Sequence, residues 1–137
     1  MRLEVNDRFE TVIAESMVKR VQRELRLSRR EDFNKVYKYG KSEANRQFVI
    51  YRLHNPNTER FRMGVSVSKK LGNAVIRNRL RRMIKEMVRI HAERICRHYD
   101  FIVIARKPIV DMEYQEMEKC LLHALKKAEL LQSGSSK

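Results

Sequence analysis

The run Asp100-Phe-Ile-Val-Ile-Ala105 is unbroken apolar sequence after its first residue, and Lys107-Pro108 stops it. A strand with one wet face alternates polar and apolar side chains, so an uninterrupted run of this kind is expected of a strand covered on both faces. Such a strand belongs at the centre of a sheet. The chain has 137 residues and is 42% hydrophobic, enough to bury one modest core around that strand.

The segments around it supply the covering elements. Ser28 followed by Glu31 has capping-box spacing, and Gly40 stands where a helix end favours a left-handed residue, which predicts a short helix over 29–39 with Phe33 and Tyr37 on one face. The β-branched and aromatic stretch 48–53 comes next. The turn cluster Asn55-Pro-Asn-Thr58 separates it from 60–68, where Phe61, Met63, Val65 and Val67 alternate, and together these read as an antiparallel hairpin. Asn73 is a good N-cap for a long helix running to about residue 98, with Ile76, Leu80, Met83, Ile84, Met87 and Val88 in one stripe. Asp111 is placed to cap a last helix, in which Tyr114, Met117, Leu121, Leu125 and Ala128 recur every three or four residues. Helix, hairpin, helix, strand and helix make an α+β fold, a two-layer sandwich of helices on a small, mainly antiparallel sheet.

Residues 25–131 are read as one domain. Residues 132–137 are read as a disordered tail, and residues 1–24 as an N-terminal extension whose composition changes at Met17. The opening part of that extension reads either as an amphipathic extra helix or as sequence upstream of a start at Met17.

Charge narrows the function. The chain carries 31 Lys plus Arg against 17 Asp plus Glu, a net +14, and such an excess calls for a polyanionic partner. A spanning helix needs about 20 consecutive apolar residues, and no run approaches that. No signal-peptide core is visible, and Glu4, Asp7, Glu10 and Glu15 are unlike a transit peptide, so a cytoplasmic protein is expected. Cys96 and Cys120 fit neither a disulfide framework nor a metal knuckle, and are expected to be reduced and structural.

The positive charge is concentrated. Between Lys69 and Arg89 stand eight basic residues, Lys69, Lys70, Arg77, Arg79, Arg81, Arg82, Lys85 and Arg89, against Glu86 alone. A merely solvated helix face mixes signs so that residues one turn apart can pair. A face of one sign repels itself until phosphates neutralise it, with release of condensed counterions and bidentate arginine bonds as the gain. Gly72 allows a turn or close approach just before the helix, whose N-terminus adds partial positive charge.

The stretch Lys69-Lys-Leu-Gly-Asn-Ala-Val-Ile-Arg-Asn-Arg-Leu-Arg-Arg82 resembles the Arg-Asn-Arg signature of the bacterial ribonuclease P protein family. The resemblance extends to Arg30-Glu-Asp-Phe-Asn-Lys-Val-Tyr-Lys-Tyr-Gly40, to Ala44-Asn-Arg-Gln-Phe-Val49 and to residues 101–108, and so covers about residues 25–137. Arg81 stands where the family often has Lys and Lys85 where it often has Arg, which keeps charge but changes bidentate geometry at Lys85. The resemblance implies an α/β sandwich with a left-handed βαβ crossover around the Arg-Asn-Arg helix. It implies that Lys69, Lys70, Arg77, Asn78, Arg79, Arg81, Arg82 and Lys85 face a catalytic RNA subunit. Phe33, Tyr37 and Tyr51, with Asn45 and Arg46, would hold the single-stranded 5′ leader of precursor tRNA. It further implies a subunit of an endoribonuclease holoenzyme whose Mg²⁺ and catalytic centre lie in the RNA, with no catalytic residue in the protein.

The aromatic cleft has support of its own. Phe33 and Tyr37 lie one helical turn apart and Tyr51 is in phase with Val49 and Leu53, so the three could line one surface and stack unpaired bases. Simple burial is the plainer alternative, above all for Phe33. His91, Cys96 and His98 scatter on a helix and lack a fourth ligand for zinc. Asp100, Asp111, Glu113, Glu116 and Glu118 read as turn, cap and first-turn acids rather than a two-metal nuclease centre. Rival functions are a ribosomal or RNA-assembly protein with no substrate cleft, a protein-only nuclease, and a DNA-binding helix.

Overall fold

The computed structural model describes residues 26, 27 and 29–132. The expectations for the N-terminal extension, for Ser28 as a cap and for residues 133–137 fall outside that set. Four strands, β1 (Lys41–Ala44), β2 (Phe48–His54), β3 (Arg62–Ser66) and β4 (Tyr99–Ala105), form one mixed sheet in the order β1-β2-β4-β3. Among the described residues three α-helices pack on it, α1 (Arg30–Tyr39), α2 (Ala74–Ile90) and α3 (Tyr114–Lys127).

The apolar run is central, as expected. β4 pairs antiparallel with β2, from Phe48↔Ala105 to His54↔Tyr99, and parallel with β3, from Arg62↔Asp100 to Ser66↔Ile104. The predicted hairpin is therefore corrected: β2 and β3 are both strands but do not pair, because β4 lies between them. The most apolar strand takes the position where both edges and both faces are covered. The turn cluster is real, with the Asn55 side chain accepting from the Asn57 N–H at 3.1 Å, but it wraps over the start of β4, where the Asn55 N–H donates to the His98 carbonyl at 2.6 Å. The return from β3 to β4 is made through α2, as parallel neighbours require.

Register then sorts side chains between two layers. On one side of the sheet Leu27, Val36 and Ile102 form a buried cluster with Phe33, Tyr51, Leu53 and Ile104 packed on it, and this is the α1 side. On the other, Phe48, Ile50, Met63, Phe101 and Val103 meet Leu80, Ile84 and Met87 of α2 and Met117, Leu121 and Leu125 of α3. The expected stripes of both long helices are the buried ones, and Ile76 and Met83 lie at the margin.

Four local expectations are corrected. α2 ends at Ile90, short of residue 98, because Ile95 bridges Leu131 and the Cys96 N–H donates to the Leu130 carbonyl, drawing the chain towards the end of α3. Gly40 is extended (φ −82°), not left-handed; glycine is needed because a Cβ would lie 2.5 Å from the carbonyl oxygens of Val36 and Arg52. Asp111 ends a 3₁₀ turn, Lys107–Asp111, and Glu113 holds the N-cap position of α3. The strand β1 adds to the predicted elements, since Lys-Ser-Glu-Ala has no apolar alternation to signal it and is mostly exposed.

Asp100 is the one charged residue in the core of the described chain, 3% exposed. Arg62, its partner in register, donates to both carboxylate oxygens at 2.9 and 2.8 Å, and Asn55 adds a third bond at 3.0 Å. The same guanidinium reaches Asp32 of α1 at 3.4 Å, tying that helix to the sheet, and the Asp100 bond pushes the Arg62 pKa further up. Arg62→Met would strand a buried carboxylate. The expected loss is about 3 kcal/mol of unfolding free energy in denaturant titration, at the low end for a broken buried pair because the Arg62 side chain is one-quarter exposed.

Candidate nucleic-acid interface

The basic helix is built to start sharply. Ser68 accepts from the Lys70 N–H at 3.2 Å to cap a 3₁₀ turn, Lys69–Leu71, and Asn73 accepts from the Ile76 N–H at 3.0 Å to cap α2. Between them Gly72 sits at φ 153°, where a side chain would be strained and a Cβ would meet Ile76 at 2.9 Å. Arg77 folds back so that its Nε–H donates to the Gly72 carbonyl at 3.2 Å, closing the turn.

At about 100° per residue, Arg77, Arg81 and Lys85 form one row along a flank of α2, with Asn78 and Arg82 beside it. Asn78 orients its neighbour, accepting from Arg81 at 2.8 Å. Arg79 lies roughly 160° around the helix from Arg77 and is exposed on the other flank. Lys69, Lys70, Asn78 and Arg82 are exposed, whereas Arg77, Arg81 and Lys85 are half-buried. Among the described residues, the one ion pair made by an α2 cation is Arg89 with Glu86, at 3.3 Å. Burial holds the Lys85 pKa below the usual lysine range, and the neighbouring Arg26 and Arg81 charges lower it further.

The aromatic residues also come together. α1 crosses its face of the sheet so that Phe33 lies over Gly64, where a Cβ would stand 2.5 Å from the ring, and one turn later Tyr37 meets Tyr51 edge-to-face at 5.0 Å. Burial raises the Tyr37 phenol pKa, the nearby Ser66 side chain partly lowers it, and Tyr51 raises it. Tyr37 remains 40% exposed. Beside α1 the next row of the sheet, Val49 paired with Ile104, is half-buried and forms an apolar floor next to the two tyrosines.

Asn45 and Arg46 belong to the β1–β2 turn at the end of that floor. The Asn45 side chain is committed inward: its oxygen accepts from the N–H groups of Gln47 (2.9 Å) and Phe48 (2.7 Å), and its nitrogen donates to the Cys120 carbonyl (2.9 Å) and lies 3.1 Å from His123 Nδ1. Arg46 is exposed at the apex. Register puts the ends of β1, β3 and β4 and the start of β2 at this same end of the sheet.

Two cations that the sequence pattern does not single out therefore join the site. Arg106 donates to the Asn45 carbonyl at 3.1 Å, and Lys107 begins the 3₁₀ turn that packs against the Lys69–Leu71 turn. Read along the chain, these two residues only mark the end of a strand. The acids do not converge: Asp100 holds Arg62, Glu118 lies 2.9 Å from His91, and among the described residues no group of three His, Cys, Asp or Glu could hold a metal. Nor, among the described residues, is any helix long and apolar enough to cross a membrane.

A single-signed helix flank and an aromatic cleft on a small mixed sheet define the class: a small cationic α+β protein. The Ribonuclease P family profile matches residues 21–129. The chain is 50% identical over 112 residues to the ribonuclease P protein component of Bacillus velezensis, covering 82% of this chain and 96% of that protein. It is 52% identical over 106 residues to that of Macrococcus caseolyticus, covering 77% and 91%. The solved Staphylococcus aureus RNase P protein superposes with a TM-score of 0.74 at 45% identity, covering 79% of this chain and 98% of that one. The chain belongs to the ribonuclease P protein component family.

Two measurements check the local geometry. Asn73→Ala should cost about 1 kcal/mol of stability through loss of the cap. In Ser66→Ala the Tyr37 phenol, already raised by burial, should ionise at still higher pH, because the hydroxyl that lowers it is gone; an NMR-monitored alkaline titration would show this.

Proposed function

We propose that the chain is the protein subunit of a ribonuclease P ribonucleoprotein, which assists a catalytic RNA in endonucleolytic removal of the 5′ leader from precursor tRNA. The observation that carries this reading is the juxtaposition of two unlike surfaces, the cationic α2 flank with Lys69 and Lys70, and the Tyr37–Tyr51 cleft with its Val49–Ile104 floor, joined at one sheet end by Arg46, Arg106 and Lys107. Family membership supports it.

In this reading Lys69, Lys70, Arg77, Asn78, Arg79, Arg81, Arg82 and Lys85 bind the RNA subunit through phosphates, which also screens repulsion between the two RNAs. Phe33 shapes the cleft from beneath, while Tyr37 and Tyr51 take unpaired leader bases. Asn45 acts as a positioning residue that fixes the turn carrying Arg46 at the leader's path. Among the described residues, the groups present do not fit a magnesium site, since the surface is cationic and the acids near it are dispersed. Mg²⁺ in this reading is held by the RNA, where it serves phosphodiester hydrolysis, and the protein contributes orientation and charge. The same reading makes the chain a cytoplasmic protein.

Reconstitution tests the proposal directly. Cleavage of precursor tRNA by the RNA subunit at low Mg²⁺ should accelerate when the chain is added, and the chain alone should cleave nothing; cleavage by protein alone, or no acceleration, overturns it. Replacing Arg79 and Arg82 by Ala should weaken RNA-subunit affinity and flatten its salt dependence, the logarithmic slope falling by about one for each phosphate no longer neutralised. The Tyr37→Ala, Tyr51→Ala double variant should bind a long-leader precursor more weakly by about thirtyfold or more, with little change for mature tRNA, from stacking worth about 1–3 kcal/mol for each of two bases.

A further inference from the structure

The edge of the sheet outside β3 carries a cation that the α2 motif does not include. Arg26 bridges Met63 in parallel, and the next residue, Leu27, donates its N–H to the Met63 carbonyl at 2.9 Å. Leu27 is buried in the α1-side cluster with Val36 and Ile102. Side chains alternate along an extended segment, so Arg26 is directed to the opposite, α2 side, where it is exposed.

The residues it meets there are also cationic. α2 packs on β3, and its Glu86 side is turned to Tyr114 of α3, which leaves the Arg77–Arg81–Lys85 row on the flank away from α3. The charges that act on Lys85 are those of Arg26 and Arg81, and both push its pKa down, as does its burial. Among the described residues, no carboxylate is one of the groups acting on it. Three cations from two elements, Arg26 exposed and Arg81 and Lys85 half-buried, thus act on one another at the β3 edge, an arrangement that costs free energy until an anion enters. A strand edge and a helix flank do not otherwise gather like charges.

We propose that Arg26, on the outer edge of β3, completes with Arg81 and Lys85 a binding notch for one RNA phosphate, at which the backbone passes from the α2 face onto the sheet edge. This rests on the reading of α2 as an RNA-binding surface and extends that surface to an element outside the motif. The phosphate belongs to the RNA subunit or to the precursor leader, and the two sources are separable.

The test uses the full chain carrying Arg26→Gln, which keeps the backbone bridge. Affinity is measured across a salt series for the RNA subunit alone, and, with the assembled complex, for precursor tRNA with a short or a long leader. The expected result is a loss of about threefold to tenfold at roughly 0.1 M salt and a salt slope smaller by about one, with an unchanged denaturation midpoint. Loss with the RNA subunit alone assigns the phosphate to that RNA; loss only with the long leader assigns it to the leader. A double variant with Lys85→Gln should lose less than the two single losses combined, since both side chains bind one phosphate. Unchanged affinity and slope in every arm for Arg26→Gln, while Arg82→Ala still weakens RNA binding, overturns the notch and leaves the α2 reading standing. If Arg82→Ala weakens nothing either, the α2 reading itself has failed.

Discussion

The pairing of β4 on both its edges is the interaction from which the rest of the molecule follows. Its seven residues pair with β2 on one side and five of them, Asp100 to Ile104, with β3 on the other, and its side chains alternate between two cores. Because β3 runs parallel to β4, the chain must cross from one end of the sheet to the other between them, and α2 is the element that makes the crossing. The basic helix is therefore held against the sheet by the strands it connects, and its cationic flank is fixed relative to the α1 side. Asp100, at the start of β4, ties Arg62 and through it Asp32 of α1 to the same frame.

The electrostatics of α2 show what a single-signed surface needs from its support. Leu80, Ile84, Met87 and Val88 bury one side of the helix completely, so its position does not depend on ion pairs along the outer face. Its start is held by short polar bonds, Asn73 to Ile76 and Arg77 to Gly72, rather than by acids. No acidic residue stands in its first turn, which leaves the partial positive charge of the helix N-terminus to add to Lys69 and Lys70. Hydrophobic burial offsets the mutual repulsion of the cations, and that repulsion in turn favours a polyanionic partner.

The cleft depends on residues too small to notice in the sequence. Gly64 admits the Phe33 ring, which lets α1 approach the sheet, and Gly40 admits the carbonyls of Val36 and Arg52, which lets the chain leave α1 and enter β1 without a loop. α1 consequently crosses the sheet from Gly64 of β3 to Arg52 of β2, with Tyr37 against Tyr51 and the half-buried Val49–Ile104 row beside them. Asn45 and Lys127 fasten the β1–β2 turn to α3, the latter by a 2.8 Å bond to the Ala44 carbonyl, so the far end of the floor is as firmly held as the near one.

The sequence by itself determined the kinds and order of the helices and of every strand but β1, the buried stripes of α2 and α3, the central place of β4 and the single sign of the basic flank. Each of these is written in local periodicity or local charge, which chain neighbours alone express. Family likeness added which residues belong to two surfaces. Only the tertiary structure decided that β4 separates β2 from β3, because a turn cluster between two strand-like stretches looks the same whether they pair or are parted. It also decided that Ile95 and Leu131 bridge to end α2 early, that Asn45 turns inward, and that Arg106 and Lys107 stand beside Lys69 and Lys70. Placing Arg26 next to Lys85 was likewise beyond the sequence: those residues are far apart along the chain, and what joins them is strand register and the packing of α2 on β3, quantities that exist only once the sheet has formed.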